Sequence, residues 1–354
     1  MSQQYTYDAV VVGAGPNGLA AAITIARTGR SVLLLEAQAV VGGGTRTEEL
    51  TLPGFRHDVC SAVQPLGVAS PFFQSLPLAD YGLDWVSPTV PLAHPLDDGS
   101  AAVLAQSLDA TAAGLGRDGM AYRRLMGPIV EHWQDIGDAI LGPFRIPRHP
   151  LTLARFGLSA VRSVRGLAES HFRGARARAL LAGLGAHAIL PLEQSPGAAF
   201  GLVLGAIGHA VGWPSPRGGA QSIADALAAY LRALGGEIQT GVLVTSVRDL
   251  PPARAVLLDV TPRQLLQLAG DRLPARITRQ LRHYRYGPGV FKLDYALDGP
   301  VPWRAAAATH AGTVHLGGTL PESAAAEAAV ARGVPPERPF VLTAQQSLFD
   351  PSRA

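Results

Sequence analysis

The 354 residues contain a single cysteine, Cys60. One thiol excludes an intrachain disulfide, a C-x-x-C redox pair and a cysteine-based metal cluster, and no metal site is expected. Lysine is as scarce: Lys292 stands alone, and every other strongly basic side chain is arginine. The formal net charge is only +3. No basic run is interleaved with aromatics, so the footprint of nucleic-acid binding is missing and no nucleic-acid partner is expected. The chain opens MSQQYTYD, without the basic region of a secretory signal, and no unbroken apolar stretch reaches the eighteen or so residues of a membrane span. These absences point to a cytoplasmic protein. What is abundant is apolar: 47% of residues are hydrophobic, enough for a sizeable core and, at this length, for two domains.

The chemistry begins in VVVGAGPNGLAAA, residues 10–22. Residues 7–12 read as a short buried strand, residues 16–28 carry helical apolar spacing closed by Gly29, and residues 31–36 form a second buried strand ending in an acid. This is a β-α-β unit. Gly13 makes the tight turn, Gly15 lets the backbone approach a pyrophosphate, and Gly18 allows the helix to pack closely on the strand. The loop Gly13, Ala14, Gly15, Pro16, Asn17 and Gly18 is therefore the candidate phosphate cradle at a helix N-terminus, and Glu36 the candidate acceptor for ribose hydroxyls.

A second glycine-rich stretch, VVGGGTRT at 40–47, follows the ribose acid. Here the chain resembles the large flavoprotein family that includes phytoene desaturases and flavin amine oxidases, whose second motif is G-G-x-x-R-[ST]. Gly42, Gly43, Arg46 and Thr47 match it. The resemblance implies FAD rather than NAD. Taken without it, Arg46 is as readily a surface arginine in a loop. The likeness resumes at Pro216–Gly219, P-R-G-G, a turn that in the family feeds a helix leading back to the FAD domain. It implies that Val244, in the strand-like EIQTGVLVTSV, touches the adenine end through its backbone. Across residues 282–303 the sequence is most similar to one subgroup, the proteins called pyridine nucleotide-disulphide oxidoreductase domain-containing protein 2, although a lone cysteine cannot run disulfide chemistry.

Other residues invite duller readings. His57 and Asp58 lie in a loop and are adjacent, so a structural or capping role is expected. AVLLDVTP, residues 255–262, reads as a buried strand with Asp259 as a turn or cap residue. Thr319 and Glu322 form a T-x-x-E capping box before an alanine-rich helix. Between Arg145 and Arg178 eight arginines and two histidines face one acid, Glu169. That stretch suits either a solvated helical cap or a peripheral contact with an anionic membrane surface. In GVFKLDYAL, period-two alternation places Lys292 with Asp294 on one face. An ordinary ion pair is one reading. The resemblance implies another, a catalytic lysine holding a water beside flavin N5.

The expected fold is α/β: a discontinuous Rossmann-like FAD-binding domain (1–75 and 216–265) with a second, α+β substrate domain (a helical cap at 76–215, and 266–354). The resemblance implies an FAD-dependent, phytoene dehydrogenase-like oxidoreductase acting on a small, apolar organic substrate. Flavin amine oxidase, or a non-catalytic flavin-binding protein acting through partners, stands as the alternative. It also implies a chain cut short after SLFDPSRA, because the family continues to a segment that returns to the flavin. Oligomeric state is not legible.

Overall fold

Tyr7–Val12 alternates nothing: its last four residues are all buried, as a strand covered on both faces requires. In the computed structural model, which describes residues 5–354, it is a central strand of a four-stranded parallel sheet. The sheet order is Ala253–Leu258, Tyr7–Val12, Val32–Leu35, Glu237–Gln239, with Val10 opposite both Val256 and Leu33. The helix Pro16–Ala26 crosses between the first two strands in sequence and buries Leu19, Ala22 and Ile23. Its partner, Gln221–Ala233, buries Ile223, Leu227 and Leu231 and leads into Glu237–Gln239. Val10, Val12, Leu33 and Leu35 form one core cluster of this sheet, with Val244 and Leu258 packed against it.

By its internal contacts the chain divides into two units, residues 1–62, 77–84 and 216–287 in the first, and 63–76, 85–215 and 288–354 in the second. These limits differ from those expected at 75 and 265. Residues 63–76 leave the first unit because their helix Pro65–Ala69 packs on Ala198–Ala210, and Ala69 joins the core there. Residues 266–287 stay in it because the helix Pro262–Ala269 continues from the sheet and Ala275–Arg282 packs on that helix.

The second unit is α+β. Val341–Ala344, Ala311–Leu316, Val90–Pro95 and Ala101–Leu104 form a mixed sheet in that order, the middle pair parallel. The helices Ala175–Ala186 and Ala198–Ala210 are buried along most of their length, and leucines 180, 184, 202 and 204 lie in the unit's main core.

Three expected strands change. GVFKLDYAL forms no strand: residues 286–303 carry no regular structure and Val290 and Phe291 are more than 80% exposed. Alternation assigns faces but supplies no neighbour, and an extended segment without a ladder partner keeps no strand hydrogen bonds. EIQTGVLVTSV keeps strand geometry only at Glu237–Gln239. Ala253–Leu258 is a strand but an edge one, bonded on one side to Tyr7–Val12, so Val256 is 44% exposed rather than buried. No helix among the described residues is long and apolar enough to cross a membrane.

Candidate dinucleotide-binding site

The turn between the first strand and its helix is fixed by glycine. Gly13 sits at φ +101°, in the left-handed region, and donates its N–H to the Leu35 carbonyl at 2.8 Å. A Cβ there would stand 2.6 Å from the Asp259 carbonyl, and one on Gly18 would collide with the carbonyl of Gly13. Gly13 therefore answers to the tight turn and the adjacent strand end, and Gly18 to the close approach of helix and strand. Gly15 is the N-cap of the helix, with no side-chain cap, and Pro16 follows in the first turn, where its missing N–H costs nothing. The amides of Gly15 and Asn17 have no hydrogen-bond partner among the described residues. Gly18 does: its N–H donates to the Asp259 carboxylate at 2.8 Å.

Glu36 ends the second strand and turns back on the loop. Its carboxylate accepts the Ala14 N–H at 2.7 Å through one oxygen and the Gln38 N–H at 2.9 Å through the other, and it is 8% exposed. The second glycine stretch closes on the first. Gly42 donates its N–H to the Ala14 carbonyl at 2.8 Å, and a Cβ on Gly43 would stand 3.2 Å from the Gly15 Cα. Arg46 folds over this stretch, its Nε donating to the Gly43 carbonyl at 3.0 Å and its guanidinium 3.2 Å from Glu48. Gly13 to Gly18, Glu36, Gly42, Gly43 and Arg46 are thus brought together.

Thr47 has a different task. Its hydroxyl donates to Asp58 at 2.7 Å and accepts the Gln221 N–H at 3.1 Å, while Asp58 also accepts the Ala220 N–H at 2.7 Å. The pair ties the P-R-G-G turn to the second motif and gives Asp58 a capping role, which makes it a structural acid. Residues 57–58 are a two-residue strand paired with 47–48 rather than the expected loop. Val244 leans on the sheet core on the same face as Val10 and Leu33. Lys292, in the second unit, is ion-paired with Asp294, and Trp303 donates its indole N–H to Gln345 at 2.8 Å. Asp259 as a neighbour of the first glycine loop was not foreseen beyond a turn or cap. The missed signal is an acid at the end of a strand whose predecessor in the sheet carries the glycine loop.

Residues 11–73 match the NAD(P)-binding Rossmann-like domain family. A limonene dehydrogenase polypeptide of Castellaniella defragrans is 32% identical over 117 residues, 33% of this chain and 21% of that protein. Pyridine nucleotide-disulfide oxidoreductase domain-containing protein 2 of Rattus norvegicus is 40% identical over 77 residues, 22% of this chain and 13% of that protein. These matches make residues 11–73 a Rossmann-like dinucleotide-binding segment similar to those of oxidoreductases. An oxidoreductase from Methanosarcina mazei has a similar fold, with a TM-score of 0.53 at 16% identity, covering 78% of this chain and 65% of that one. Each match spans less than two thirds of the relative concerned.

Proposed function

We propose that this chain binds FAD and uses it to oxidise a small, apolar organic substrate by hydride transfer, in the manner of a phytoene dehydrogenase-like enzyme. One observation carries the reading: the Gly42 amide on the Ala14 carbonyl and the Glu36 carboxylate on the Ala14 amide join two glycine loops and an acid into one cradle. The residues suit the cofactor. The unpartnered amides of Gly15 and Asn17 at a helix N-terminus would face a pyrophosphate, and both oxygens of Glu36 retain lone pairs for ribose hydroxyls. Arg46 would add a cation beside the phosphates, and the Val244 backbone would meet the adenine end. Thr47 would act at one remove by holding the turn at 216–219.

When bound, FAD supplies a two-electron acceptor at N5 of its ring. The protein's task is then to position donors and protons. In this reading the Lys292 ammonium, with three donors, would hold a water at that atom, and Asp294 would fix the lysine's orientation. An apolar substrate is supported by the Castellaniella relative, whose name assigns it limonene, a hydrocarbon.

Anaerobic mixing of the flavin-loaded protein with isoprenoid, acyl and amine candidates tests the reading. Bleaching of the oxidised flavin band by an apolar candidate is expected. A flavin that dithionite reduces but no candidate does would make the chain a binding module instead.

A further inference from the structure

Within the second unit, the helices Gly119–Glu131, Trp133–Ile140, Pro150–Ala160 and Val164–His171 border a cavity of about 570 Å³. That volume falls inside the roughly 300–1,000 Å³ of small-molecule sites. Its floor is apolar and continuous with the core: Leu125, Ile129, Ile136 and Phe156 line it and all are buried. Its ionisable lining is of one sign. Arg124, Arg155, His132 and His171 line the space, and no aspartate or glutamate does.

The two arginines are also uncommitted. Neither side chain makes an ion pair or hydrogen bond among the described residues, whereas three of the four acids on the bordering helices are engaged, Asp135 with His149 at 3.5 Å, Asp138 with Arg145 at 3.6 Å and Glu169 with Arg165 at 2.9 Å, and the fourth, Glu131, does not line the cavity. A cleft with basic groups only and low-dielectric walls concentrates positive potential, and a guanidinium fork matches carboxylate and phosphate oxygens in pairs. Leu151, another lining residue, is 85% exposed, so the apolar surface continues outward from the floor.

We propose that this cavity binds an anionic amphiphile, a carboxylate or phosphate head on an aliphatic chain, with Arg124 and Arg155 holding the head and Leu125, Ile129, Ile136 and Phe156 the chain. The site stands apart from the flavin reading, because every lining residue belongs to the second unit and binding needs no flavin.

Calorimetric titration of the whole chain with monomeric dodecanoate tests it, with dodecanol and dodecyltrimethylammonium as neutral and cationic controls. Dodecanoate should bind at least tenfold more tightly than dodecanol, and the ammonium not at all. The R124Q/R155Q double variant, altered only at exposed positions, should lose at least tenfold for dodecanoate and keep dodecanol binding. Ser159→Trp, which fills the cavity from a partly exposed helix position, should abolish both, with circular dichroism verifying the fold. Flotation with phosphatidylglycerol and phosphatidylcholine vesicles separates the sources of the head. Capture by the anionic vesicles without dodecanoate binding, lost in the double variant, assigns it to a bilayer lipid, and dodecanoate binding without capture assigns it to a free carboxylate. The proposal is overturned if neither probe binds, or if R124Q/R155Q binds them as the wild type does.

Discussion

Glu36 accepts hydrogen bonds from two backbone amides, and the one from Ala14 ties its carboxylate to the glycine loop. Its replacement by alanine should weaken FAD retention by about 1.5–3 kcal/mol, the range of a hydrogen bond to a charged group, measured as the FAD dissociation constant. An unchanged constant would remove Glu36 from the site. Lys292 is a second single-residue test. Methionine keeps its length and removes its charge, so K292M should slow flavin reduction or reoxidation with FAD still bound, read by stopped-flow absorbance. Wild-type rates in both half-reactions would leave the Asp294 ion pair as its whole role.

A buried histidine cluster contributes a pH dependence of its own. His94 on Val90–Pro95, His187 just after Ala175–Ala186 and His315 on Ala311–Leu316 meet in the second unit, His187 and His315 sharing a 3.1 Å contact between Nε2 atoms. His94 binds the Gly318 carbonyl through Nε2, so its proton lies there. Burial pushes all three below the ordinary histidine value, and His187 to about 4. Between 6.5 and about 4 the unfolded chain therefore takes up protons that the folded chain refuses, and stability is complete above that window and falls as pH drops through it. Thermal midpoints should decline from pH 7 to pH 5, and the decline should be shallower in His187→Gln. A flat profile over that range would contradict the burial argument. At this scale the sequence was legible where a motif fixes a short spacing, as for Gly13 and Glu36. It was silent where partners are distant: Asp259 meets Gly18 across 241 positions.

Elements were legible where a local signal starts or stops them. The box read from Thr319 and Glu322 exists, with the Glu322 carboxylate accepting the Thr319 N–H and hydroxyl at 2.7 Å each and opening the helix Leu320–Ala331. Thr319→Ala should cost about 1 kcal/mol in chemical denaturation, and no loss would make the cap redundant. The helix Pro16–Ala26 was equally marked, by glycine and proline before it and Gly29 after. Strands fared worse at 289–297 and 240–246, since a partner strand is a non-local fact and alternation alone does not name one.

For the whole molecule, the interrupted order of the first unit was anticipated through the family resemblance at 216–219, far in sequence from the two glycine motifs. The excursion of residues 63–76 into the second unit was not, because it depends on packing against Ala198–Ala210. The central claim is that the cradle built by the two glycine loops and Glu36 holds FAD. Equilibrium titration of the whole, flavin-stripped chain with FAD, FMN and NAD, followed by flavin fluorescence and calorimetry, tests it most directly. Saturable one-to-one binding of FAD, much tighter than FMN or NAD and weakened in Glu36→Ala, is the predicted result. A folded chain that binds no FAD, or that prefers NAD, would contradict the account.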